Sequence, residues 1–130
     1  CLYVGPCHPL YHEESVDFSE LQELKFVRGG RDFFSMEHHL ETVSMGVIDT
    51  KDLNHVAYTN SDHLTVNLLL YTDVCSLGLD FMYEPYSQYD LKALPINGCE
   101  PFLQVGYVKD PARILSRQAG WILEKFHQML

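Results

Sequence analysis

A chain of 130 residues suffices for one continuous hydrophobic core, and a composition of 46% apolar and 12% aromatic residues excludes a disordered or low-complexity polypeptide. The net charge of −9 disfavours binding to a phosphate backbone over a broad surface, because that affinity comes from Lys and Arg displacing counterions. The longest apolar run, residues 68–71, falls far short of the ~20 residues that span a bilayer, so no membrane span is expected.

The chain opens on Cys1 rather than Met, and is therefore expected to be a piece of a longer protein or a processed product. "CLYVG" reads as an edge strand. "SVDFSELQEL" reads as a short helix capped by Ser15 or Asp17, with Phe18, Leu21 and Leu24 on one face, and "RGGR" as the turn after it. "TVSMGVI" aligns Val43, Met45 and Val47 as on a strand. In "HLTVNLLLY" the residues Leu64, Val66, Leu68 and Leu70 alternate with His63, Thr65, Asn67 and Tyr71, which predicts a strand buried on one side.

"TDVCSLG" is short enough for an antiparallel hairpin leading to a strand over "LDFMY". "EPYSQYDLKALPINGCEP" reads as a long loop with one helical turn near Asp90, and "FLQVGYV" is rich in strand-forming residues. Asp110 then offers an N-cap and Pro111 a first helical position for a helix running to the end of the chain. At ~100° per residue, Leu115, Ala119, Ile122, Leu123, Phe126, Met129 and Leu130 fall in one arc of roughly 120°, with Ile114 about 60° before its edge. Strands followed by a terminal helix predict a single α+β domain over residues 1–130. The expected sheet is mainly antiparallel, with a short N-terminal helix and the long C-terminal amphipathic helix packed on one face.

Chemistry-bearing patterns are sparse. Cys1, Cys7, Cys75 and Cys99 include no CxxC pair, which argues against structural zinc. Free thiols in an intracellular, cytoplasmic protein are the expectation; the even count also leaves two disulfides open, in any of three pairings. In "MEHHLE" the adjacent His38 and His39 point in different directions on either a helix or a strand, so they do not chelate one metal together. His8 and His12 have helical i,i+4 spacing, but Pro9 between them argues against a helix. Cys99 in "NGCEP" has no local partner that marks a nucleophile. Phosphate-cradling glycine loops and the GxSxG elbow are missing from the sequence.

Residues 53–84, "LNHVAYTNSDHLTVNLLLYTDVCSLGLDFMYE", resemble the opening βαβ of vicinal oxygen chelate modules, and "FLQVGYVKDPARIL" resembles the start of a second module. The resemblance implies a metal-dependent small-molecule enzyme or binding protein. It makes His55 a metal ligand on the first strand and matches Gln104, or no residue, to the second; the metal-dependent reading adds His38 or His39 and carboxylates such as Glu37 or Glu84 as further ligand candidates. It also requires a helix over residues 64–71, where the alternation predicts a strand.

The terminal helix carries a sharper pattern. Trp121, the only tryptophan, falls about 80° outside the apolar arc, in line with Arg113, Arg117 and Lys125. From Pro111 onward there are three basic side chains and one acid, Glu124, in an otherwise acidic chain. The expected function is therefore a non-enzymatic protein-interaction or regulatory domain of a larger protein, without a cofactor or a bound metal. Its partner would be another protein, met through an acidic segment at Arg113, Arg117, Trp121 and Lys125. Self-association is compatible with this reading. The alternative is the metal-dependent protein with His55, Glu84 and Gln104.

Overall fold

The computed structural model describes residues 1–29, 36–45, 49, 51–80, 83, 86–99 and 106–129, with backbone alone at 36–39 and 129. The chain divides into two compact units, Cys1–Glu100 and Pro101–Leu130. Within the first, the elements in order are β1 (Leu2–Val4), α1 (Phe18–Leu21), β2 (Lys25–Gly29), α2 (Met36–Val43), β3 (Asn54–Thr59), α3 (Asp62–Tyr71), β4 (Val74–Leu77) and β5 (Lys92–Leu94). The second contains α4 (Arg117–Met129). No described helix is long and apolar enough to cross a membrane.

The five strands form one sheet in the order β3-β2-β4-β1-β5. β2 runs parallel to both β3 and β4, whereas β1 is antiparallel to β4 and β5. The α+β class and the C-terminal helix are present, but the mainly antiparallel sheet expected from the sequence is wrong: the sheet is mixed. The reason lies in the connections. A strand reached through a helical crossover returns in the same direction as the strand before it, and both α2 and α3 are such crossovers.

The largest correction is α3, where the alternation predicts a strand. Ser61 caps this helix: its Oγ accepts from the Leu64 N–H at 3.3 Å, and its carbonyl accepts from Thr65 N–H at 3.0 Å. Thr72 closes it, donating both its N–H and its hydroxyl to the Leu68 carbonyl. Val66 and Leu69, three residues apart, are the buried pair, and Leu64 faces solvent. The expected hairpin "TDVCSLG" is instead the internal strand β4.

Elsewhere Thr42 and Val43 end α2, and Met45 follows with a left-handed φ of 51°. Gly46, Val47 and Ile48 lie outside the described residues. Beyond β4, Tyr83 N–H donates to the Asp80 carbonyl in a turn where a strand was expected, and Phe81 and Met82 lie outside the described residues. Residues 101–105 of "FLQVGYV" do too, while Gly106, Tyr107 and Val108 have no regular structure. β1 is a strand, as expected, but an internal one. β2 and β5 were not anticipated.

The sheet is packed on both faces. Leu2, Val4, Phe26, Cys75 and Leu94 face one side with Leu21 of α1 and Leu40 of α2. Tyr3, Val27 and Val74 face the other with Val66 and Leu69 of α3. Each fully buried side chain of this size contributes about 1.5–3 kcal/mol relative to exposure. Two glycines allow the close packing. A Cβ at Gly5 would lie 1.9 Å from the Leu69 carbonyl oxygen, and one at Gly78 would lie 2.1 Å from the Tyr3 ring. That ring is fixed in turn by its hydroxyl, which donates to the Leu79 carbonyl at 2.6 Å.

Candidate interaction surface on the C-terminal helix

The helix α4 begins later than Asp110 and Pro111 suggest. The Asp110 carboxylate accepts from Ala112 N–H at 2.9 Å and its carbonyl from Arg113 N–H at 3.0 Å, which closes one turn that does not propagate. Ser116 is the working cap. Its Oγ accepts from Ala119 N–H at 3.2 Å, and its carbonyl accepts from Gly120 N–H at 2.9 Å.

This start places Arg117, Trp121 and Lys125 on one ridge at i,i+4 spacing, with Arg113 outside the helix. Arg113 is held only loosely, its Nε 4.0 Å from an Asp110 carboxylate oxygen. Trp121 is 60% exposed, and Lys125 Nζ donates to Gln128 Oε1 at 3.1 Å. On the neighbouring face Ile122 and Phe126 are 56% and 45% exposed. Arg117, Gln118, Trp121 and Ile122 line a shallow, open depression between ridge and apolar face.

Charge is unevenly divided along the chain. Residues 1–100 carry five basic and sixteen acidic side chains, net −11, and residues 101–130 carry four basic and two acidic, net +2. The ridge is therefore a cationic and aromatic surface on a segment whose sign opposes that of the rest of the chain.

Of the alternative metal residues, His55 alone has a described side chain. His55 lies on β3 against two rings, its centroid 6.2 Å from that of Phe26 and 5.8 Å from that of Tyr58. Glu84 and Gln104 lie outside the described residues, as do the side chains of Glu37, His38 and His39 on α2. Among the described residues, no three His, Cys, Asp or Glu side chains form a group that could hold a metal ion. The helix that the oxygen-chelate resemblance requires is present as α3, yet β2 lies between β3 and β4 in the sheet.

The remaining candidates have structural surroundings. His8 sits in a run of turns, buried, with Nδ1 accepting from Leu10 N–H at 3.2 Å. Burial pushes its imidazole below the ordinary value, while nearby Asp73 acts in the opposite direction. His12 packs edge-on against Tyr11. All four cysteines are free thiols, and burial drives the Cys75 thiol well above its ordinary range, which makes it inert at neutral pH. Cys99 is half-buried beside the core face of Leu2 and Leu94.

No protein-family model matches the chain, and a search of curated proteins finds no match.

Proposed function

We propose that the chain is a non-enzymatic interaction domain whose helix α4 engages an acidic segment of another protein. The carrying observation is the single tryptophan, exposed between two cations on one helical ridge. Trp and Arg are the side chains most enriched where truncation costs binding energy, and an exposed indole loses solvent-facing area only when a partner covers it. Ile122 and Phe126 supply apolar anchors beside the ridge, as in helices that dock into a partner's groove. The local charge of +2 favours a partner rich in carboxylates, which gains both encounter rate and orientation. The helix itself is weakly cationic, Arg117 and Lys125 against Glu124, which suits a protein partner better than an anionic membrane surface.

A photo-reactive amino acid replacing Trp121 in the full chain, and another replacing His127, about 120° around the helix from it, test the proposal. Position 121 should cross-link one acidic protein that position 127 does not capture. Binding to anionic vesicles with no protein cross-linked at 121 would refute it.

The presence of α3 where the oxygen-chelate resemblance requires a helix favours one second reading, a metal-dependent small-molecule protein using His55. Stoichiometric metal in protein purified without added metal would replace the first reading with this one.

A further inference from the structure

β3 is the edge of the sheet with the longest strand. Its six residues, "NHVAYT", alternate between exposed and half-buried, and among the described residues it pairs with β2 alone. Val56 is 49% exposed and Tyr58 64% exposed on this strand. Edge strands are normally kept from pairing by brevity, proline or charge. The opposite edge fits that rule, since β5 has three residues and begins with Lys92. β3 carries no proline and no formal charge. Its one irregularity is the register shift opposite Phe26 and Val27, where His55 and Ala57 find partners on β2 and Val56 is the extra residue. An extra residue in a bulge is left out of the ladder, so backbone groups of Val56 remain available beside an exposed apolar side chain.

We infer that β3 pairs with β3 of a second copy of this chain, antiparallel about a two-fold axis through Ala57, joining two five-stranded sheets edge to edge. Such an axis places each Val56 opposite the other copy's Tyr58, a β-branched and aromatic pairing of the kind that stabilises adjacent strands. It places His55 opposite Thr59 and Asn54 opposite Asn60, so no two like charges meet at any paired position. That complementarity matters because each copy bears −9 overall, and only an uncharged contact lets two such bodies approach.

A six-residue strand is about 20 Å long. The contact belongs to the class below about 1,200 Å², whose complexes are transient, so a dissociation constant in the micromolar range is expected. Salt should tighten the dimer, because it screens repulsion between the acidic bodies without weakening an uncharged seam. A contact made through the basic ridge would weaken with salt instead.

Sedimentation equilibrium of the full chain, from roughly 5 to 500 µM and in low and high sodium chloride, tests the proposal. Wild type should shift from monomer to dimer, and more completely in high salt. Val56→Lys and Tyr58→Lys, both at exposed positions, should each weaken dimerisation by at least about tenfold while keeping the wild-type circular dichroism spectrum and melting temperature. Trp121→Ala should dimerise like wild type, which separates this seam from the α4 surface. A wild-type chain that stays monomeric throughout, or lysine variants that dimerise as wild type does, would overturn the inference.

Discussion

Leu69→Ala should destabilise the Cys1–Glu100 unit by about 3–5 kcal/mol, the upper part of the range for a leucine truncated in a core that cannot relax. Leu69 has no exposed surface, and its own carbonyl oxygen lies where a Cβ on Gly5 would be. The backbones of α3 and of the residue after β1 already touch there, so the helix cannot move closer to fill the space. Leu64→Ala on the same helix should cost less than about 1 kcal/mol, since Leu64 is exposed and alanine is an equally good helix former. The contrast is diagnostic because a strand over residues 63–71 would reverse it, turning Leu64 inward and Leu69 outward. Urea unfolding gives both values from the midpoint and slope. For a unit of this size the larger loss corresponds to a fall of roughly 12–40 °C in melting temperature. If Leu64→Ala proves the more damaging substitution, α3 is wrong and so are the parallel crossovers that depend on it.

Acidification should weaken the fold through His8. Its folded-state pKa lies below the ordinary 6.5, so the unfolded chain binds a proton that the folded chain resists. The contribution is present above the unfolded value and is lost as pH falls from about 6.5 toward the folded one; the difference in urea midpoint between wild type and His8→Gln should therefore shrink from pH 8 to pH 5. Gly78→Ala should cost about 1–3 kcal/mol by driving a methyl group into the Tyr3 ring. In a Tyr3→Leu background the same change should cost measurably less, and a double-mutant cycle with no coupling would show that the ring is not what it meets.

What the sequence disclosed depended on whether an element buries one face or two. The apolar arc of α4 was legible because its polar residues fill the rest of the circumference, and the ridge of Arg117, Trp121 and Lys125 followed from the same geometry. Its start was misplaced because Asp110 and Pro111 form a real turn that imitates a helix beginning. α3 was misread for the opposite reason. Leucines and valine surround its axis, so the helical period is hidden, and Leu64, Val66, Leu68 and Leu70 alternate by coincidence. The capping pair Ser61 and Asp62 was the available signal.

β2 and β4 escaped because internal strands packed on both faces do not alternate. Phe26 and Val27 are both buried, on opposite sides, as are Val74 and Cys75. With those two strands unseen, the neighbouring segments could only be joined as hairpins, and the antiparallel sheet followed. The edge at β3 was equally hidden, since sequence shows that "NHVAYT" favours a strand but not which side of it lacks a neighbour.

The proposed role of α4 is tested most directly by titrating the protein cross-linked through position 121 against wild type, Trp121→Ala and Arg117→Glu over a range of sodium chloride concentrations. Loss of the indole should weaken binding by about 2 kcal/mol or more, near thirtyfold. Arg117→Glu should slow association and flatten its dependence on salt, because the acidic partner loses its steering charge. Equal affinity for all three chains at every salt concentration would contradict the claim that α4 is the surface through which this protein acts.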